Sequence, residues 1–313
     1  MTRKIIIDTD PGIDDAVALT ASLFDPRLEV LAVTATAGTV TAEQATSNVC
    51  TIVSMLDPPR YPRIGKAIPP ETASAIDDLF LNGRCGLGEL SVGETQRQHL
   101  PSSEKVIAEL VRKYPNEITL VCLGPLSNVA RLYRRDPAAI NLLDKIVISG
   151  GAVNVAGNAS CVAEFNLFFD PAAASEVFAS PTTKSLLPLD VTGEVLFGVE
   201  LLEQLPSTET RAGELLHQMM PFAFRTAHQR LGRELIPLID AATIAAVVEP
   251  ELFQWTEMAG KVETQGLLTR GMSVFDQRLR PEWQANMEVA MSADIEAVKG
   301  LVCRSLRYAG QKS

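Results

Sequence analysis

The chain has 313 residues, 46% of them hydrophobic, and a formal net charge of −10, with a pI near 4.9. That acidity, with no basic face in the sequence, argues against a nucleic-acid partner, and no apolar run reaches the length that spans a bilayer. The five cysteines, Cys50, Cys85, Cys122, Cys161 and Cys303, are scattered and show no Cys-x-x-Cys spacing. Neither a disulfide framework nor a zinc site is therefore expected, and a reducing cytoplasm fits.

Residues 1–4 precede three isoleucines and then an acid, which is too short for the apolar core of a signal peptide. The run Ile5-Ile6-Ile7 reads as a buried strand, Pro11-Gly12 as a tight turn, and the stretch from Asp15 as a helix. Between strand and helix, Asp8, Asp10, Asp14 and Asp15 place four carboxylates within eight residues. Acids packed this closely repel one another, and burying them without a counter-charge raises their pKa values and costs stability. A bound divalent cation removes the repulsion, and oxygen-only ligands select calcium or magnesium over zinc. Singly, each acid has an ordinary reading: Asp14 and Asp15 as first-turn acids on a helix dipole, Asp8 as a turn residue. As a set they point to a metal or catalytic site. An EF-hand loop needs Gly at its sixth position and Glu at its twelfth; counted from Asp8, those positions hold Ile13 and Leu19. A magnesium-dependent phosphatase with Asp8 as nucleophile and Asp10 as acid stays open at this point.

Residues 28–36 read as the second strand, ending at Ala37-Gly38-Thr39. Thr41-Ala-Glu-Gln44 is a capping box, with a helix to about Leu56. The segment 58–101, rich in Pro, Gly and charge, has weak periodicity, and a loop of that length is usually functional or disordered. Lys105 opens a helix by its apolar spacing, and residues 118–123 read as a buried strand. Gly124-Pro125 then turns into a helix with Pro at its start. Residues 145–149 form a strand leading to Gly150-Gly151, Asp170-Pro171 opens a helix, and residues 186–189 form a short strand. Residues 207–232 read as a helix carrying His217 and His228, and Asp240 begins another. Strand-like stretches at 261–263, 273–275 and 287–291 and a last helix at about 295–308 complete the pattern. The alternation predicts an α/β fold with an open, mostly parallel sheet flanked by helices, as one domain over 1–313. In such a sheet, polar residues at strand ends converge on one edge.

The stretch Asp8-x-Asp10-Pro-Gly-x-Asp14-Asp15-Ala16 resembles the signature of the inosine-uridine nucleoside hydrolases at every fixed position. The Gly124-Pro-Leu-Ser-Asn128 turn, Gly157-Asn158 followed by Ala163-Glu164-Phe165-Asn166, Leu189-Asp190-Val191-Thr192, and Thr264-Gln-Gly266 through Arg270-Gly271-Met272 extend the resemblance over most of the chain. It implies a nucleoside hydrolase-like fold and calcium-dependent hydrolysis of the N-glycosidic bond of a ribonucleoside. It also implies calcium ligation by Asp10, Asp15 and Asp240 through side chains and by Leu123 through its carbonyl. Asp10 would also be general base for the attacking water, and Asp14, Asn158, Glu164 and Asn166 would hold the ribose. A homodimer or homotetramer with a small nucleoside as partner is the matching expectation.

The chain departs from that pattern on the base and sugar side. Ile239 stands where the family has the histidine associated with protonating the leaving base. Asn82 opens Asn82-Gly-Arg-Cys-Gly86 where the family often has His-Gly-Glu-Ser-Gly, and Thr39 replaces a usual Asn. Both Asn82 and Thr39 are counted with the substrate-binding set. The chain has three histidines. His228, on the helix that precedes Asp240, is the expected substitute acid, and Arg84 offers a contact for an acidic substrate. Losing a positioned general acid costs about 10²–10⁴-fold, so a catalytically weak or inactive ribose- or nucleoside-binding homologue is the competing expectation.

Overall fold

The computed structural model describes residues 2–71, 79–90 and 99–311. Strand β1 (Arg3–Thr9) alternates its isoleucines between two cores, with Ile5 and Ile7 in one and Ile6 in the other. A strand buried on both faces lies at the middle of a sheet. The chain continues through α1 (Ile13–Phe24), β2 (Leu28–Ala35), α2 (Ala42–Leu56), β3 (Arg63–Gly65) and α3 (Leu79–Asn82). Next come α4 (Ser103–Lys113), β4 (Ile118–Cys122), α5 (Ser127–Arg135), α6 (Pro137–Ile140) and β5 (Lys145–Ser149). Then follow α7 (Phe165–Phe169), α8 (Pro171–Ala179), β6 (Lys184–Leu187), α9 (Leu189–Thr192), β7 (Leu196–Phe197), α10 (Arg211–Thr226) and β8 (Ile236–Pro237). Last are α11 (Ile239–Val248), β9 (Phe253–Met258), β10 (Gly260–Val262), β11 (Ser273–Phe275), β12 (Met287–Ala293) and α12 (Ile295–Ala309).

The main sheet has eight strands in the order β3-β2-β1-β4-β5-β6-β12-β9. Its ladders are parallel except β12 with β9, which is antiparallel. Helices α1, α2, α10, α11 and α12 contribute to the core on one face, and α4, α5 and α8 to the core on the other. The chain leaves β1 toward β2 and β3, then returns to place β4 on the other side of β1. The order reverses there, and open α/β sheets bind ligands in the crevice at such a reversal. The carboxyl ends of β1 and β4 carry Asp10 and Leu123 to that point.

Several boundaries differ from the sequence reading. Residues 186–189 were expected to be a strand, but β6 stops at Leu187, and Leu189–Thr192 is a helical turn started by Pro188. Pro precludes a ladder N–H, and its fixed φ suits a helix start. Pro125 lies two residues ahead of α5 rather than at its first position. Strand β9, at the edge of the sheet, is not among the strands expected from the sequence, although Phe253 and Trp255 alternate with Gln254 and Thr256. Within 58–101 the described residues form β3, α3 and connecting loop, and 72–78 and 91–98 lie outside the described residues. The caps at Thr41 and Asp170 fall where expected: each side chain accepts from a backbone N–H, of Gln44 and Ala173 respectively.

Candidate active site

Strand β1 ends at Thr9, and the chain turns through Asp10-Pro11-Gly12 into α1, so Asp10, Asp14 and Asp15 all sit at one junction. Asp10 and Asp15 are buried, as is Asp240 at the start of α11, while Asp14 is half-buried with its Oδ1 enclosed. The Asp10 carboxylate lies between two glycines. A Cβ on Gly38 would stand 2.0 Å from its Oδ2, and a Cβ on Gly124 would stand 2.3 Å from its Oδ1. Only glycine lets both loops approach so closely. The Thr39 N–H donates to Asp10 Oδ2 at 2.6 Å, so Thr39 enters the site through its backbone.

The other acids are fixed with equal definition. Asp15 accepts from the Thr9 hydroxyl through Oδ1 and from the Gly12 N–H through Oδ2. Asp14 reaches from α1 to α11, where its Oδ2 accepts from the Asp240 N–H at 3.0 Å. Helix α11 has no side-chain cap of its own, so a carboxylate from another helix takes that role. The second oxygen, Asp14 Oδ1, is buried and has no hydrogen-bond partner. Asp240 accepts from the Ser149 hydroxyl at 3.4 Å and lies within hydrogen-bonding reach of Asp15.

Burial drives the electrostatics. It pushes the Asp14 carboxyl up to about 7, with Asp15 adding repulsion. Asp10 and Asp240 are pushed well above the usual carboxylate range, first by burial and then by the neighbouring acids. Asp15 is raised by burial too, against the pull of Thr9 and Gly12. The described hydrogen-bond partners of these acids are hydroxyls, backbone N–H groups and, for Asp15, the Asp240 carboxyl, rather than lysine or arginine. A set of hard oxygen donors, mutually repelling and shielded from water, fits a hard divalent cation by its chemistry. Among the described residues no three acids, histidines or cysteines are arranged as a set that could hold a metal ion, so the acids are neighbours without forming a ligand shell.

The sugar-side residues of the sequence reading lie along the same edge, and the fold also uses them. Glu164 is the N-cap of α7, accepting from Asn166 and Leu167 N–H groups and from the Gly151 N–H. Burial pushes it up to about 7. Asn166 donates through Nδ2 to the carbonyls of Leu123 at 2.7 Å and Ser149 at 3.0 Å, tying the ends of β4 and β5 together. Asn158 is exposed, with its Oδ1 accepting from the Phe165 N–H. Asn82, at the end of α3, accepts from the Ile13 N–H at 3.2 Å and covers the start of α1.

The histidines lie elsewhere. His228 is on the wide turn Ala227–Leu231 that continues α10, with its side chain 64% exposed and Nδ1 facing Glu234 at 2.8 Å. It is not brought into contact with the buried acids. His99 is exposed and His217 half-buried on α10. Arg84 is exposed in the loop after α3. Asp8, nucleophile of the phosphatase reading, is fully buried within the sheet and faces Thr34 and Asn128. A carboxylate enclosed in this way is not presented to a phosphate ester, and that reading is withdrawn. The sequence reading missed Thr9, Gly38, Gly124 and Ser149. The one signal was that each stands at, or within three residues of, the carboxyl end of a parallel strand.

The model of the inosine-uridine preferring nucleoside hydrolase family matches residues 5–300. The non-specific ribonucleoside hydrolase RihC of Salmonella enteritidis is 34% identical over 306 residues, covering 97% of this chain and 98% of that one. Among solved structures, a plant nucleoside hydrolase, the PpNRh1 enzyme, superposes with a TM-score of 0.88 at 29% identity, covering 98% of this chain and 99% of that one. The purine-preferring ribonucleoside hydrolase of Gardnerella vaginalis gives a TM-score of 0.89 at 27% identity over the same shares.

Proposed function

This chain belongs to the inosine-uridine preferring nucleoside hydrolase family and is an enzyme acting on N-glycosyl bonds; from that premise we propose that it is a calcium-dependent ribonucleoside hydrolase releasing free base and ribose. The observation that carries the reading is the gathering of three buried carboxylates, Asp10, Asp15 and Asp240, and the half-buried Asp14 at the reversal of strand order, with Gly38 and Gly124 pressed against Asp10.

Asp10, Asp15, Asp240 and the Leu123 carbonyl would hold the ion. Calcium, when bound, supplies positive charge that fixes the attacking water and makes it more acidic. Asp10 would accept a proton from that water, its carboxylate kept in one orientation by the Thr39 N–H and the two glycines. The ribosyl carbon gains cationic character as the glycosidic bond breaks, and the surrounding anionic oxygens favour that charge. Asp14 Oδ1, buried without a partner, would accept from a ribose hydroxyl. Glu164, Asn166 and Asn158 complete a set of acceptors and donors for the sugar, and Asn82 and Thr39 border it. His228 is the proposed proton donor to the leaving base, brought in from its surface position when substrate binds.

The similarity to a ribonucleoside hydrolase described as non-specific supports both purine and pyrimidine ribosides as substrates. Among the described residues no helix is long and apolar enough to cross a membrane. A cytoplasmic dimer or tetramer of single-domain chains completes the proposal, to be checked by sedimentation. The decisive test measures reducing sugar released from a panel of ribosides, with calcium and with chelator, for the natural chain and for Asp10→Ala. Turnover is expected to require calcium and to fall by about 10³-fold or more in Asp10→Ala. Full turnover in the variant overturns the reading.

A further inference from the structure

Thr9 is the last residue of β1 and is fully buried. Its hydroxyl donates to Oδ1 of the Asp15 carboxylate on the next element, α1. The Gly12 N–H takes the other oxygen at 2.9 Å, so the carboxylate is held at both oxygens from the protein side. Ser149, the last residue of β5, is equally buried, and its hydroxyl donates to Asp240 Oδ1 at 3.4 Å. The third acid of the set, Asp10, is held by the Thr39 backbone N–H at 2.6 Å. Each acid of the proposed ligand set therefore has a donor behind it, and two of these donors are hydroxyls at the carboxyl ends of strands.

We propose that Thr9, and more weakly Ser149, are positioning residues that pre-orient Asp15 and Asp240 for a divalent cation. The inference rests on the calcium reading above. A carboxylate turns easily about its Cβ–Cγ bond, and a ligand that must be frozen on binding loses affinity. A hydroxyl that holds one oxygen fixes the rotor before the ion arrives and leaves the remaining lone pairs directed into the site. Groups that orient metal ligands in this way typically contribute 10–100-fold in metal affinity. The Ser149 contact, long at 3.4 Å, is assigned the smaller share.

The test is calorimetric titration of calcium into the chelator-stripped full chain, with thermal melting in chelator as the folding control. Thr9→Val keeps the shape and removes the donor; it is expected to weaken calcium binding by about 10-fold or more. Thr9→Ser restores the donor and is expected to bind within about threefold of the natural chain, and Ser149→Ala is expected to fall between the two. Should Thr9→Val not fold, Thr9→Ala replaces it in the same comparison with Thr9→Ser. Equal calcium affinity in the donor-less variant and the natural chain overturns this inference and leaves the calcium reading standing. So does an equal loss in Thr9→Ser and Thr9→Val, which would mean that side-chain shape rather than the hydroxyl is what matters. No calcium binding by the natural chain overturns both.

Discussion

Asp10 is held so closely by Gly38, Gly124 and the Thr39 N–H that its carboxylate has one orientation. The base side of the site is built differently. Ile239, first residue of α11, is half-buried and has no proton to give. Restoring an acid there is expected to help the poorest leaving groups most, because good leaving groups need no protonation. Ile239→His should raise kcat for such ribosides by about 10–100-fold, with a new acid limb in the pH–rate profile. An unchanged profile would show that this position does not meet the base. His228→Ala is the companion variant: if His228 supplies the proton, kcat should fall by about 10-fold or more while KM changes little.

Two elements of the site are capped by the residues assigned to the sugar. Asp14 supplies α11 with the cap that the helix lacks, and Glu164 caps α7. The cap needs an acceptor oxygen, not a charge. Asp14→Asn keeps an acceptor and removes an acid whose pKa burial has pushed up to about 7. An unfolded aspartate titrates near 3.9, so above pH 7 the ionised Asp14 costs the metal-free fold about 4 kcal/mol. In chelator at pH 8, Asp14→Asn should therefore melt higher than the natural chain, and the difference should vanish near pH 4. Turnover with calcium should fall in the same variant, the usual conflict between stability and a charged site. A lower melting temperature at pH 8 would refute the argument.

Across the whole molecule, the parallel sheet gathers acids from β1, α1 and α11 at one end, and the buried cores fix them there. The pH dependence of the metal-free chain follows from the sign of the shifts. Asp14 and Glu164 have folded pKa values near 7, above those of the unfolded chain, and Asp10, Asp15 and Asp240 are raised as well. The folded chain thus binds these protons more tightly. The stability they allow is fully present below about pH 4 and is lost as pH rises through about 7. Calcium neutralises the same acids and competes with protons for them. Calcium should therefore raise the melting temperature more at pH 8 than at pH 5, read by calorimetry with and without chelator. Equal increments at both pH values would mean that the ion does not sit among these groups.

The sequence by itself determined the local chemistry. Four aspartates within eight residues cannot be buried cheaply, the isoleucine run needs two cores, and Thr41 and Asp170 start helices because their side chains reach N–H groups three residues on. Such features act over a few residues and leave a pattern in the order of the chain. Tertiary structure decided what joins them. Asp240 meets Asp14 across 226 positions, Gly38 and Gly124 close on Asp10 from two different loops, and the Thr9 hydroxyl crosses from a strand to a helix. It also set β9 at the antiparallel edge and left His228 on the surface beside Glu234. Contacts between residues far apart in sequence carry no periodicity, so they exist only once the sheet order and the cores have fixed which strand ends stand side by side.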